Sequence, residues 1–104
     1  MTAAGSPQLA LDRLAEMSPH IREAVVLDAD GGCLAGSRAL AAPARDLLAR
    51  TDGSELEVST RRGVVYAARS PAHAIALVST RAALASLMLY DLRMVLADLD
   101  GARA

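Results

Sequence analysis

The sequence predicts one α+β domain: a five-stranded antiparallel sheet, the element order α-β-β-α-β-β-β-α, and helices packed on both faces of the sheet. Three observations predict this class. The chain has 104 residues, a length that suits a single domain. Short apolar runs separated by a few turn residues are typical of hairpins and meanders. Two of these runs are apolar on both faces, as strands covered by helices on each side would be.

The domain is expected to span residues 8–101, behind a flexible tail of small and polar residues over 1–7. The first helix begins at Gln8, where apolar residues start to recur at spacings of three and four. It ends before Pro19, because the residue that precedes a proline disfavours helical geometry.

A β-hairpin is predicted next, with strands over 24–27 and 33–35. Between them lies the segment Asp30-Gly31-Gly32, and glycine readily adopts the positive φ that tight hairpin turns require. Asp28 and Asp30 also suggest a calcium loop. Such a loop needs glycine at its sixth position and glutamate at its twelfth, and neither is present, so the two aspartates are interpreted as turn residues.

The second helix is predicted to begin near Ala41 or Ala42 and to end at Arg50. Its apolar residues follow the i, i+4, i+7, i+8 pattern of an amphipathic helix. Pro43 has no N–H to donate, so we place it in the first turn.

A three-stranded meander and a long helix complete the predicted order. The first strand, 55–60, alternates apolar and polar residues, whereas 64–68 and 73–78 are apolar throughout. The last helix covers 82–99, with Thr80 as its N-cap. The predicted core consists of Val26, Val64, Tyr66, Ile75, Leu77, Leu84, Leu87, Met88 and Val95.

These elements resemble a Roadblock/dynein light chain domain over roughly residues 21–99. The resemblance implies a roadblock/profilin-like fold and a homodimer, in which the sheets join edge to edge through the third strand and the second helices pair across the two-fold axis. It also implies a regulator of small Ras-like GTPases without enzymatic residues of its own. The segments that carry it are 24–31, Leu34-Ala35-Gly36-Ser37, Arg62-Gly63-Val64-Val65-Tyr66 and Leu89-Tyr90-Asp91-Leu92-Arg93.

Composition excludes several classes of partner. Eleven basic residues, all of them Arg, and twelve acidic residues give a net charge of −1, so there is no electrostatic reason to bind nucleic acid or an anionic membrane. The longest apolar stretch, 82–89, is too short to cross a bilayer. The single cysteine, Cys33, has no partner for an internal disulfide. We expect a cytoplasmic protein, and the abundance of Ala and Arg without Lys is typical of bacteria with GC-rich genomes.

No catalytic, cofactor or metal site is predicted. Cys33, His20 and His73 lie on separate elements without the spacing of zinc ligands. Cys33 is interpreted as a small strand residue, and His73 as a partly exposed structural residue rather than a base. The glycines of the hairpin lead to a strand and not to a helix N-terminus, so no phosphate loop is present.

Two interpretations of Asp91 stay open, since it lies within the apolar stripe of the last helix. It is either a half-buried acid bonded to backbone or to an arginine, or a conformational latch. The pair Arg61-Arg62 could touch phosphate groups, but against the overall charge we interpret it as a solvated turn.

Two functions are weighed. The first is a non-catalytic homodimeric interaction module that regulates or scaffolds a small Ras-like GTPase or signalling partner. The second is a small-molecule-sensing or ligand-binding α/β domain. A ligand pocket usually has aromatic lining, and this chain has two Tyr and neither Phe nor Trp. Its small aliphatic core leaves little room for a cavity, which favours the interaction module.

If the strand 73–78 pairs with 24–27, the strand 55–60 is left at the edge of the sheet. It lacks the proline or inward charge that usually protects an edge, so two copies are predicted to pair through it. The predicted dimer interface consists of Leu40, Ala44, Leu47, Leu48, Leu56 and Val58. The predicted partner surface lies on the other side of the second helix and consists of Arg38, Arg45 and Asp46.

Overall fold

The computed structural model describes residues 6–101, and within them the chain forms three helices and five strands in the predicted order. The sheet is antiparallel throughout and has the strand order β2-β1-β5-β4-β3. Residues 1–5 of the predicted tail lie outside the described residues. The elements are α1 (Pro7–Met17), β1 (Ile21–Asp28), β2 (Cys33–Gly36), α2 (Arg38–Ala49), β3 (Glu55–Thr60), β4 (Gly63–Arg69), β5 (His73–Ser79) and α3 (Ala85–Gly101).

The turn between β1 and β2 confirms the interpretation of the two aspartates. One carboxylate oxygen of Asp28 accepts the backbone N–H groups of Asp30 at 2.9 Å and Gly32 at 2.8 Å. Gly31 has a φ of 90°, a conformation that a side chain would strain. The Asp28 side chain therefore orders the hairpin turn.

Helix α2 begins earlier than predicted. The hydroxyl of Ser37 accepts the N–H of Leu40 at 3.3 Å and caps the helix, so Arg38 is its first residue. Pro43 consequently lies inside the helix and not in its first turn, where we had placed it. Because Pro43 has no N–H, the carbonyl of Ala39 loses its helical hydrogen bond. The helix tolerates this because both residues are exposed, so water can bond to that carbonyl.

Helix α3 begins later than predicted. Thr80 is not its N-cap: the N–H of Thr80 donates to the carbonyl of His20 at 2.9 Å, and its own carbonyl accepts from Ala83 in a separate turn. With the helix starting at Ala85, Leu84 and Leu87 point to solvent, 68% and 49% exposed, so their assignment to the core was wrong. The other seven predicted core residues are buried.

Two apolar layers cover the two faces of the sheet, as the doubly apolar strands predicted. Helices α1 and α3 pack on one face, where Val26, Tyr66, Ile75 and Leu77 are buried. Helix α2 packs on the other face, over β1, β2 and β5. Strand β5 is central, which places β3 at one edge of the sheet.

Candidate interaction surface

The outer edge of β3 is open within residues 6–101, because β3 pairs only with β4. The N–H of Arg69 donates to the carbonyl of Ser54 at 2.8 Å. Since bonded pairs alternate along an antiparallel ladder, the even-numbered residues of β3 bond to β4. Glu57 and Ser59 therefore direct their backbone N–H and C=O groups outwards, where a further strand would add.

The six residues predicted to form a dimer interface divide into two sets. Four of them, Leu40, Ala44, Leu48 and Leu56, are buried within the protomer, between α2 and its own sheet. The apolar stripe of α2 has to be covered by this sheet for the domain to fold. Leu47 and Val58 border the same cluster and keep part of their surface exposed. Any apolar contact between copies beside the β3 edge would involve chiefly these two.

The three residues predicted to form the partner surface are all exposed on the outer side of α2. The guanidinium of Arg45 donates to the carbonyl of Gly31 at 2.8 Å, which links the helix to the β1–β2 turn. Asp46 pairs with Arg50 at 3.2 Å, at the predicted i, i+4 spacing. Arg38 is the first residue of the helix.

Arg69 holds the end of α2 against the sheet. Its guanidinium donates to the carbonyl of Leu48 at 2.7 Å and to the carbonyl of Thr51. The backbone N–H of Thr51 also donates to the carbonyl of Leu48, whereas Arg69 is the donor found for the carbonyl of Thr51 among the described residues. The contact joins residues about twenty positions apart, and no local pattern in the sequence indicates it.

Two side-chain pairs fasten α3 to the sheet. Arg93 bonds Glu55 of β3 at 2.8 Å, and the Nδ1 atom of His73 lies 2.6 Å from a carboxylate oxygen of Asp100. The side chain of His73 is 11% exposed, and the residue is partly exposed, as the sequence predicted. It connects the start of β5 to the last turn of α3.

A cleft of about 330 Å³ lies where α2 ends, between the β1–β2 turn and the β4–β5 turn. The sequence did not predict it, and it is at the small end of the ~300–1,000 Å³ that ligand pockets occupy. Asp28, Arg45 and Arg69 line this cleft, yet each already bonds backbone groups of the protein. The cleft therefore offers few free polar groups to orient a ligand.

Asp91 is half-buried on α3, which agrees with the burial that the first of its two interpretations predicted. Burial raises the pKa of its carboxyl group. No bond to backbone or to an arginine is found for this carboxyl among the described residues. Burial likewise raises the pKa of the Tyr66 hydroxyl, and the nearby charge of Glu57 adds to the effect.

The structured part of the chain has neither a metal-binding cluster nor a membrane-spanning helix. No three His, Cys, Asp or Glu side chains within residues 6–101 are placed to hold a metal ion. None of the three helices there is long and apolar enough to span a membrane.

A five-stranded antiparallel sheet with α2 on one face and α1 and α3 on the other is the Roadblock/LC7 fold, which is also the fold of profilin-like proteins. No family model and no curated protein matches the chain. Several solved structures do match the chain.

The Roadblock/LC7 domain from Streptomyces avermitilis is 20% identical, with a TM-score of 0.70 over 85% of this chain and 92% of that one. The gliding protein MglB from Thermus thermophilus is 16% identical, with a TM-score of 0.68 over 95% and 90%. LokiProfilin2, solved in complex with rabbit actin, is 12% identical, with a TM-score of 0.68 over 97% and 98%. At these identities the likeness establishes the fold.

Proposed function

We propose that this protein is a non-catalytic, homodimeric interaction module that regulates or scaffolds a small Ras-like GTPase or another signalling partner in the bacterial cytoplasm. The open edge of β3 carries the proposal, because an unprotected edge strand is a template for pairing. The similarity to a bacterial gliding protein of the same fold supports it, as does the resemblance of the sequence to GTPase-regulating roadblock domains.

In the proposed dimer, β3 of each copy pairs antiparallel with β3 of the other, so that one two-fold axis satisfies both open edges. The two sheets then become continuous. Val58 lies in β3 itself, and Leu47 borders the same apolar cluster; both are half-buried in one copy and are the two predicted interface residues left to gain cover from the partner. A stable interface of this kind buries about 1,200–2,000 Å² in total.

Light scattering at micromolar concentration tests the dimer. The expected mass is twice the 10.8 kDa of the chain. Glu57→Pro removes an N–H that points away from β4, so it should leave the domain folded and reduce the mass to that of one chain. Glu57→Ala removes the same carboxylate but keeps the N–H, and should remain a dimer.

Three outcomes would contradict the dimer model. One is a wild-type protein with the mass of a single chain. Another is a Glu57→Pro variant that stays dimeric and folded, since pairing would then not pass through β3. The third is a Glu57→Ala variant that dissociates as readily as Glu57→Pro, because the side chain and not the backbone would then hold the copies together.

The partner is sought by capture from the native cytoplasm on the immobilised dimer, with mass spectrometry to identify what binds. We expect a small P-loop GTPase. Its affinity should fall for Arg45→Glu, which reverses a charge on the exposed side of α2, and should persist for Arg45→Lys, which keeps that charge. Full affinity of Arg45→Glu for the captured protein would place the contact elsewhere on the domain.

A further inference from the structure

Four arginines that are scattered in the sequence meet at one end of the sheet. Arg22 is in β1, Arg61 and Arg62 form the β3–β4 turn, and Arg81 follows β5. All four are exposed. The guanidinium of Arg22 donates to the carbonyl of Arg62 at 3.3 Å, and that of Arg81 donates to the carbonyl of Thr60. Two of the four side chains are thus held against the turn that carries the other two. We call these four residues the arginine end.

The arginine end has little compensating negative charge. The carboxylate of Glu23 lies 3.9 Å from Arg62, and its second oxygen accepts the hydroxyl of Ser37 at 2.9 Å. Within residues 6–101, Arg22, Arg61 and Arg81 form no ion pair. By contrast, Arg13, Arg50 and Arg93 each pair with a carboxylate elsewhere on the domain. A net charge of −1 therefore conceals a strongly positive end.

An apolar groove opens beside the arginine end. It has a volume of about 450 Å³ and lies between the first half of α2 and the sheet. Its polar lining consists of Thr60, Arg61, Arg62 and Glu23. The single carboxylate, that of Glu23, lies beside Arg62, so the groove combines an apolar floor with a rim of two arginines and one glutamate. The apolar residues that line it are Ala39, Leu40, Pro43, Val65 and Val78.

We propose that the arginine end and this groove bind an acidic segment of a partner protein, with an apolar side chain of the segment in the groove and its carboxylates on Arg61 and Arg62. Charge complementarity favours this occupant, because guanidinium groups match carboxylates in geometry. Nucleic acid fits less well. Stacking of bases needs exposed aromatic rings, and of the two tyrosines one is buried in the core and the other lies on α3.

This proposal goes beyond the proposed function and does not depend on it. The groove and the arginine end belong to one protomer; they meet β3 only at its last residue, Thr60, whereas the backbone groups proposed to pair with a second copy belong to Glu57 and Ser59. Arg45 and Asp46 belong to the second half of α2 and do not line the groove. A protein that failed to dimerise or to bind a GTPase could still bind an acidic segment here.

Fluorescence anisotropy with a labelled peptide, Glu-Glu-Leu-Glu-Glu-Leu-Glu-Glu, tests the proposal on the full chain. Arg61→Glu is the decisive variant, because Arg61 is exposed and makes no side-chain hydrogen bond or ion pair among the described residues. Arg50→Glu is the matched control: it changes the net charge equally, at an exposed residue after α2, far from the groove along that helix. We expect Arg61→Glu to weaken binding by about tenfold or more and Arg50→Glu by about twofold at most.

The proposal also predicts that rising salt weakens binding of the peptide. When the peptide is added, the amide NMR signals of the protein that shift should cluster at the β3–β4 turn and the start of α2. It is overturned if the wild type does not bind the peptide, or if both variants lose affinity equally. It is also overturned if phosphatidylserine vesicles or single-stranded DNA bind more tightly than the peptide. The mass of each variant is measured in the same buffer. If Arg61→Glu converts a dimer to a monomer, the surface joins two copies of this chain and the proposal fails.

Discussion

Replacing Ile75 with alanine tests how the central strand supports the whole domain. Ile75 lies in β5 between Val26 of β1 and Ala68 of β4, and its side chain is completely buried. The substitution removes three buried carbon atoms, each worth about 0.8 kcal/mol, or about 2.4 kcal/mol together. The cavity that remains adds to this cost, so the free energy of unfolding should fall by about 2–5 kcal/mol. The total free energy of unfolding of a domain of this size is about 5–15 kcal/mol.

Thermal unfolding followed by circular dichroism measures the effect. Each kcal/mol of lost stability lowers the melting temperature of a domain this size by roughly 4–8 °C. The loss of the three buried carbon atoms alone should therefore lower it by roughly 10–20 °C. Leu84→Ala is the control, because Leu84 is 68% exposed and precedes α3; its free energy of unfolding should change by less than about 0.5 kcal/mol. A change below about 0.5 kcal/mol for Ile75→Ala, or equal losses for both variants, would refute the assignment of β5 to the centre of the core.

The remaining predictions concern Asp91 and Arg69. Because burial raises the pKa of Asp91, the folded protein binds that proton more tightly than the unfolded chain, and ionisation of the carboxyl lowers stability. Asp91→Asn should therefore raise the melting temperature at pH 7, and the gain should vanish below about pH 4; an equal gain at both pH values would contradict this. Arg69→Ala leaves the carbonyl of Thr51 without its side-chain donor and removes one of the donors to the carbonyl of Leu48, so we expect the free energy of unfolding, measured in urea, to fall by about 1–3 kcal/mol. Arg50→Ala, which breaks an exposed ion pair, should cost at most about 1 kcal/mol, and similar losses for the two variants would argue against capping by Arg69.

Much of the fold could be predicted because its signals are local. The spacing of apolar residues separates helix from strand over a few residues, and the segment around Gly31 specifies the turn that joins β1 to β2. The alternation at Glu55–Thr60 predicted a strand, and its place at the edge followed from the expected pairing of β5 with β1, which the structure confirms. The failures were at element ends. A proline such as Pro43 does not show whether its helix began one turn earlier, and apolar residues such as Leu84 do not show where a helix starts.

The candidate surfaces depended on contacts that sequence spacing does not encode. Leu48 and Leu56 were expected between two copies, but within one copy they are already buried between α2 and the sheet. Arg61-Arg62 looked like an isolated basic turn. Only the antiparallel strand order brings the start of β1 and the end of β5 beside it.

By itself the sequence determined the order of the elements and the small aliphatic core, because backbone propensity and apolar periodicity act over a few neighbouring residues. The tertiary structure alone decided the phase of α3, the pairing of His73 with Asp100, and the convergence of Arg22, Arg62 and Arg81. The contacts of His73 and of the arginines join residues 21 or more positions apart, and their distances are set by sheet register and helix packing, which no local pattern encodes.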